Sequence, residues 1–133
     1  MIVVDSSIVV AVYRQEADAE RCALGIASDD QPIMSAANVI ETSIVLRGLK
    51  MMPPAEAEQW LDNFIATAGI RIEPVTEEQT RLARMAHRRF GKGTGHGAAL
   101  NYGDCFAYAL AKAMGVPLLC KGNDFRLTDI ALA

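Results

Sequence analysis

Short apolar runs alternate with longer segments along the whole chain. The apolar runs at residues 2–4, 33–35, 70–74 and 118–120 predict buried β-strands. The segments between them predict helices at residues 8–13, 16–28, 36–49, 54–68, 77–91 and 100–114. Strands and helices that alternate in this way indicate an α/β fold, with a parallel sheet of four to five strands and helices on both faces. The tail that ends at Ala133 is the candidate for the fifth strand.

Local signals mark several of the helix ends. Residues 76–79 have the sequence Thr-Glu-Glu-Gln, which matches the capping box that begins a helix. Pro54 suits the first turn of a helix. Gly69 and Gly115 suit the position that follows a last turn, so these segments are bounded on both sides.

Length and composition indicate one globular domain. The chain has 133 residues, enough for a single domain over residues 1–133, and 51% of them are hydrophobic. No apolar stretch approaches the ~20 residues of a membrane span, and Asp5 ends the first apolar run far short of a signal peptide. The three cysteines, Cys22, Cys105 and Cys120, are odd in number and widely spaced, which argues against disulfides and a thiolate zinc site. We therefore expect a soluble, cytoplasmic protein without a membrane segment.

Charge is unevenly distributed along the chain. The net charge of −3 argues against a nucleic-acid-binding protein unless the charges are segregated. They are segregated, because no acidic residue lies between Arg81 and Asp104. The basic side chains of this stretch are Arg81, Arg84, His87, Arg88, Arg89, Lys92 and His96. Contacts with RNA phosphates and an ordinary solvated helix face both explain such a run.

Three aspartates stand where strands end or helices begin. Asp5 directly follows the first strand, and Asp124 follows the last one. Asp104 opens the most apolar helix of the chain, in which Lys112 is the only later charge. Each aspartate also has an ordinary explanation, as a helix N-cap, a turn former or a first-turn acid.

Glu41 is the fourth unusual acid, in the helix predicted at residues 36–49. The residues three or four positions away include Ala37, Ile44 and Val45, so most of this stripe is apolar. We therefore expect the carboxylate to point towards the core, where it needs a cation or several hydrogen-bond donors. The alternative is an edge position from which the carboxylate reaches water.

The positions of the four acids are best interpreted together. The carboxyl ends of parallel strands share one edge of the sheet, where ligands bind, and Asp5, Asp104 and Asp124 all belong near that edge. Glu41 lies in the helix after another strand, so its carboxylate can lie near the same edge of the sheet. Four carboxylates in one small pocket repel each other strongly unless a cation binds. Oxygen ligands of this kind select Mg²⁺ or Mn²⁺.

At these positions the chain resembles the PIN-domain family, and within it the VapC-type toxins. The matching features are the first strand ending in Asp5 and Ser6, the helical Glu41, residues 102–111 (Tyr-Gly-Asp-Cys-Phe-Ala-Tyr-Ala-Leu-Ala) and residues 122–125 (Gly-Asn-Asp-Phe). Each motif is short, but their order and spacing together are specific. The resemblance implies a three-layer α/β/α sandwich, hydrolysis of single-stranded RNA or RNA loops with Mg²⁺ or Mn²⁺, a homodimer and a cognate antitoxin.

The resemblance also assigns roles to individual residues. Asp5 and Asp104 match the metal ligands of the family. Glu41 matches either a ligand or the base that positions water. Asp124 matches a residue that binds the metal directly or through water. Ser6 matches the small hydroxyl residue beside the first acid. Under this hypothesis the contacts with RNA phosphates come from Arg88, Arg89 and Lys92, with Arg47 and Lys50 as further candidates.

Other functions are compatible with parts of the pattern. A non-catalytic PIN-like module would bind RNA or protein without cutting, and a housekeeping PIN ribonuclease would have no antitoxin. A haloacid-dehalogenase-like phosphatase needs a second aspartate where Ser7 stands. Residues 93–98 loosely fit a dinucleotide-binding pattern, but they follow a helix and not a strand. The shape of the glycine-rich loop at residues 91–97 is not predicted by the pattern.

Overall fold

The computed structural model describes residues 1–133. Its elements, in chain order, are strand β1 (Ile2–Val4), helix α1 (Ser6–Tyr13), helix α2 (Ala19–Ala27), strand β2 (Pro32–Ser35), helix α3 (Ala36–Gly48), helix α4 (Pro54–Ala68), strand β3 (Arg71–Glu73), helix α5 (Glu77–Phe90), helix α6 (Tyr102–Met114) and strand β4 (Leu118–Leu119).

The four strands form one parallel sheet. Their order is β3-β2-β1-β4, and Val3 of β1 pairs with Ile33 of β2 on one side and with Leu118 of β4 on the other. The chain therefore adds β2 and β3 on one side of β1 and then returns to place β4 on the opposite side. Ligands of open α/β sheets bind at the carboxyl ends of the strands where the order reverses in this way. In this fold that point is the crevice beyond the ends of β1 and β4.

Alternating side chains of the strands divide the interior into two cores. Val4 and Met34 face one core, which α1, α2 and α4 cover together with Leu46 of α3. Val3 and Ile33 face the other core, which α5 and α6 cover. This period-two alternation places helices on both faces of the sheet. The predicted three-layer α/β/α sandwich is confirmed.

Element bounds differ from the prediction in several places, and α1 begins at Ser6, two residues earlier than predicted. The tail forms only an isolated bridge between Leu132 and Leu118, so it adds no fifth strand. Helix α2 begins at Ala19, not at residue 16, because residues 17–18 form a turn before it. Helix α6 begins two residues later than predicted, because Asn101 has an extended backbone and caps it.

Two further features concern the helices and the cysteines. No helix is both long and apolar enough to cross a lipid bilayer. The cysteines are unpaired, and Cys22 and Cys105 are buried among apolar neighbours in the two cores. They act as small buried side chains.

Candidate active site

A cleft of about 320 Å³ lies at the crevice beyond β1 and β4. All four acids predicted from the sequence line it: Asp5, Glu41, Asp104 and Asp124. The wall also contains a fifth acid, Glu16, which the sequence analysis did not single out, and the polar residues Ser6, Ser7, Asn101 and Lys121. The topology of the sheet thus brings together side chains from four separate parts of the chain.

Asp5 has one satisfied oxygen and one that lacks a partner. It caps α1, since the Ser7 N–H donates a hydrogen bond to Asp5 Oδ2 at 3.1 Å. The other oxygen, Oδ1, is buried and accepts no hydrogen bond. Burial raises the pKa of the Asp5 carboxyl above its usual value, although the hydrogen bonds from Ser7 oppose the rise. The helix cap therefore accounts for only one oxygen of this carboxylate, and the buried Oδ1 remains an open acceptor.

Asp104 sits in the first turn of α6 in a reciprocal capping box. The Asn101 N–H donates to Asp104 Oδ2 at 3.0 Å, and the Asp104 N–H donates to Asn101 Oδ1 at 2.9 Å. Burial raises the pKa of Asp104 to about 7, and the neighbouring carboxylates of the cleft add to the rise. The carboxylates of Asp5, Asp124 and Glu41 therefore disfavour the ionised form of Asp104.

Glu41 is held in place by two donors on the same oxygen. The Ser6 hydroxyl donates to Glu41 Oε1 at 2.7 Å, and the Asn38 amide donates to it at 3.2 Å. Asn38 is fully buried, and its amide also donates to the Gly103 carbonyl at 2.9 Å, which links α3 to the start of α6. A Cβ atom added at Gly103 would overlap the Glu41 carboxylate, so a larger residue here would displace that carboxylate.

The expectation that Glu41 faces the core is wrong. The apolar residues near it on α3 are at the surface, and Ile40 and Ile44 are 63% and 57% exposed. The buried positions of this helix are Asn38, Thr42 and Leu46. The Thr42 hydroxyl donates to the Asn38 carbonyl at 2.7 Å, which satisfies a buried polar pair. Glu41 therefore stands at the boundary between the acidic cleft and an exposed apolar surface.

Lys121 is a cleft residue that the sequence analysis did not identify. Its backbone N–H donates a hydrogen bond to Ser7 Oγ at 3.0 Å. Its side-chain ammonium lies 2.6 Å from Glu16 Oε1 and 2.9 Å from Asp18 Oδ1. These contacts connect the segment after β4 to α1 and to the turn before α2. Asp124 lies on this segment, exposed at the rim of the cleft. The only signal in the sequence was a lysine directly after the last strand.

The three basic residues proposed for RNA lie in different surroundings. Arg88 lines a groove between α5 and α6. The Arg89 guanidinium lies 4.7 Å from the centre of the Phe90 ring and 3.8 Å from Asp129 Oδ2, so it is engaged with the tail of the chain. Lys92 is exposed in the glycine-rich loop, whose base is fixed by the bridge of Gly91 to Leu100.

The residues of the cleft fit a hard divalent cation that keeps part of its water shell. No three His, Cys, Asp or Glu side chains are arranged closely enough to form a ready-made metal cage. Mg²⁺ does not require such a cage, because it usually binds one or two carboxylates and retains several waters. The unpartnered Asp5 Oδ1 and the raised pKa of Asp104 are both features that a bound cation would relieve.

Comparison with known proteins decides the family. The sequence matches the PIN domain over residues 2–131. The chain belongs to the PIN-domain family. It is 46% identical over 129 residues to Ribonuclease VapC of Mycolicibacterium smegmatis, an alignment that covers 97% of each chain. It is 45% identical over 131 residues to Ribonuclease VapC28 of Mycobacterium tuberculosis, covering 98% of this PIN domain and 96% of the relative. The predicted membership among VapC-type ribonucleases is confirmed.

Solved structures support the fold. VapC20 of Mycobacterium tuberculosis, described as a Sarcin-Ricin loop cleaving toxin, aligns with a TM-score of 0.78 and 17% identity over 100% of this PIN domain and 98% of that chain. VapBC2 from Rickettsia felis, bound to a DNA fragment from its promoter, aligns with a TM-score of 0.75 and 16% identity over 100% and 98% of the two chains. Both likenesses agree with the α/β/α sandwich described above.

Proposed function

We propose that this PIN domain is a divalent-metal-dependent endoribonuclease that cleaves single-stranded RNA or RNA loops and acts as the toxin of a toxin–antitoxin pair. The observation that carries the proposal is the convergence of four carboxylates on one cleft at the point where the strand order reverses, with a buried, unpartnered oxygen on Asp5. The ribonuclease names of the similar sequences support the same activity.

Asp5 and Asp104 would hold a Mg²⁺ or Mn²⁺ ion, with Glu41 and Asp124 as ligands directly or through water. A bound ion would supply a water of lowered pKa and would neutralise charge on the scissile phosphate. Glu41 would accept the proton of the attacking water at Oε2, because the Ser6 and Asn38 donors both bind Oε1. Ser6 and Asn38 are then positioning residues that orient this carboxylate.

The decisive experiment measures RNA cleavage with and without metal. The purified protein is expected to cut a single-stranded RNA in Mg²⁺ or Mn²⁺ and to lose the activity in EDTA. Full activity in EDTA would overturn the metal mechanism. No cleavage in either metal would favour the non-catalytic interaction module. Expression in a bacterial host is expected to arrest growth. Normal growth would favour a housekeeping ribonuclease over a toxin.

We propose that a cognate antitoxin and a second copy of the chain are the protein partners. VapBC2, which has the same fold, supports the antitoxin. The exposed apolar stripe of α3, defined by Ile40, Ile44 and Val45, supports the homodimer, since apolar surface of this kind is usually covered by a partner. A second copy of the chain is the occupant that the family resemblance implies.

Changing Ile44 to Glu is expected to weaken the dimer at least about 30-fold, because a charge would be buried in the proposed apolar interface. Sedimentation velocity over a concentration series would measure the dissociation constant. Leu24→Glu is the matched control, since Leu24 is 61% exposed on α2, away from the stripe. Equal dissociation constants for the wild type and Ile44→Glu would remove the stripe of α3 from the interface.

A further inference from the structure

A second groove lies beside the acidic cleft, between α5 and α6. Its volume is about 580 Å³. One wall carries Arg84, His87 and Arg88 of α5, and the other carries Tyr102 and Phe106 of α6. No acidic residue lines it. The groove thus combines an aromatic wall with a basic wall, and the four acids of the cleft take no part in it.

Tyr102 is the most unusual side chain of this groove. It is 80% exposed, although it is a large aromatic residue. The Phe106 ring meets it edge to face, with centroids 4.9 Å apart, which holds its orientation. Tyr102 precedes Asp104 by two residues, and Gly103 between them packs against Glu41. An open aromatic face is therefore held directly next to the acids of the cleft.

The arginines of the groove differ from their neighbours on the same helix. Arg81 forms an ion pair with Glu77 at 3.0 Å, and Arg89 lies 3.8 Å from Asp129. Arg84 and Arg88 form no ion pair with any acid of the chain, and both are exposed. Two unneutralised guanidinium groups face the groove, so its charge is complementary to an anionic ligand.

We propose that this groove binds single-stranded RNA beside the scissile phosphate, with one nucleobase stacked on Tyr102 and backbone phosphates on Arg84 and Arg88. The proposal rests on the proposed ribonuclease function and names a substrate subsite for it. Stacking on an aromatic ring and phosphate contacts with arginine are sequence-tolerant, so this subsite would accept more than one base. Tyr102 and Phe106 also border the α3 stripe assigned to the homodimer, so this groove would lie along the edge of that dimer. A two-fold contact centred on the groove itself is disfavoured, because it would bring the unpaired arginines of the two copies together.

The test measures the affinity of the full-length protein for a fluorescein-labelled single-stranded RNA by anisotropy, in EDTA, with the RNA checked to be intact. Tyr102→Ala is expected to raise Kd by about 5-fold to 100-fold, and Tyr102→Phe by less than about 2-fold, because phenylalanine retains the ring. Leu24→Ala, another exposed apolar position, should leave Kd unchanged. With an RNA that carries abasic sites in place of its bases, Tyr102→Ala should bind as the wild type does.

The arginines are tested by the salt dependence of the same Kd. Arg84→Ala with Arg88→Ala should reduce the slope of log Kd against log salt by about 1.4, since each phosphate contact with a single strand contributes about 0.7. Arg81→Ala is the matched control, because this arginine is paired with Glu77, and its slope should equal that of the wild type.

Several results would overturn the subsite. Unchanged RNA affinity in Tyr102→Ala would overturn it. If Tyr102→Ala makes the protein monomeric or removes a protein partner and leaves RNA binding intact, the groove is a protein interface and the subsite is also overturned. If the wild type cleaves RNA and Tyr102→Ala cleaves it with the same KM, only the subsite fails. If the wild type binds RNA through Tyr102 but cleaves nothing in Mn²⁺, the subsite stands and the nuclease function fails.

Discussion

Asp104→Asn is expected to reduce metal-dependent RNA cleavage by on the order of 1,000-fold, which corresponds to a loss of several kcal/mol of transition-state stabilisation. The fold should survive, because the asparagine Oδ1 can still accept the hydrogen bond that the Asn101 N–H donates to Asp104. What is lost is the negative charge that a cation needs. Initial rates of RNA cleavage in Mn²⁺ would measure the effect.

The matched control is Asp62→Asn on the exposed face of α4, which makes the same chemical change outside the cleft. It should retain full activity. An Asp104→Asn protein with cleavage rates near those of the wild type would remove Asp104 from the active site and leave it as a helix-capping residue alone.

The same variant has a second readout in the pH dependence of stability. The folded-state pKa of Asp104, about 7, lies above the ordinary value of 3.8, so the folded state holds a proton that the unfolded state releases between these values. The free energy of unfolding of the metal-free protein therefore falls as the pH rises from about 4 to about 7. Asparagine does not titrate, so at about pH 7.5 Asp104→Asn should be more stable than the wild type by roughly 1–3 kcal/mol, allowing for partial solvent screening.

Urea unfolding in EDTA at about pH 5 and about pH 7.5 gives this difference, and subtracting the variant from the wild type cancels the titration of other groups. A gain of stability that accompanies a loss of activity is typical of a strained functional residue. If the variant is less stable than the wild type at the higher pH, the cost of ionising the buried Asp104 carboxyl is not the dominant effect at this position.

Gly103→Ala is expected to lower cleavage about 100-fold, because a displacement of about 1 Å in a catalytic group has an effect of that size. The new Cβ would overlap the Glu41 carboxylate, so either this side chain or the start of α6 must move. The overlapping atoms are the end of a flexible side chain that can turn away, so the free energy of unfolding should fall only by the roughly 0.5–1.5 kcal/mol of a lost hydrogen bond. Initial cleavage rates and urea unfolding would measure the two effects.

Gly48→Ala is the matched control, since nothing lies within 4 Å of a Cβ added at this helical glycine. It should leave cleavage unchanged and raise the free energy of unfolding by about 0.5–1 kcal/mol, because alanine favours the helix. A Gly103→Ala protein with normal activity would mean that Glu41 can adopt another position without loss. That result would contradict its assignment as a precisely held carboxylate.

Much of the candidate site could be predicted from the sequence, because strand ends and helix starts are local signals. Asp5 and Asp124 were found from the apolar runs that precede them, and Asp104 from the apolar helix that it opens. The residues that hold the acids gave no such signal. Asn38 supports Glu41 and Lys121 connects the segment after β4 to α1, and both do so through contacts between elements distant in sequence.

The sequence by itself determined the order of the elements and several of the helix ends, because periodicity and capping act within a few residues. Thr76 caps α5 by accepting the Gln79 N–H at 3.1 Å, as the capping-box pattern predicted. Gly69 and Gly115 end α4 and α6 with φ of 67° and 66°, where glycine has no Cβ penalty.

Only the tertiary structure decided which surface each residue faces. The apolar stripe of α3 predicted burial, yet Ile44 is exposed and Asn38 is buried. The basic run of α5 gave no sign that Arg89 is engaged by the tail while Arg88 faces a groove. The physical reason is that burial and ion pairing depend on which elements pack together, and helical periodicity identifies a face without identifying its partner.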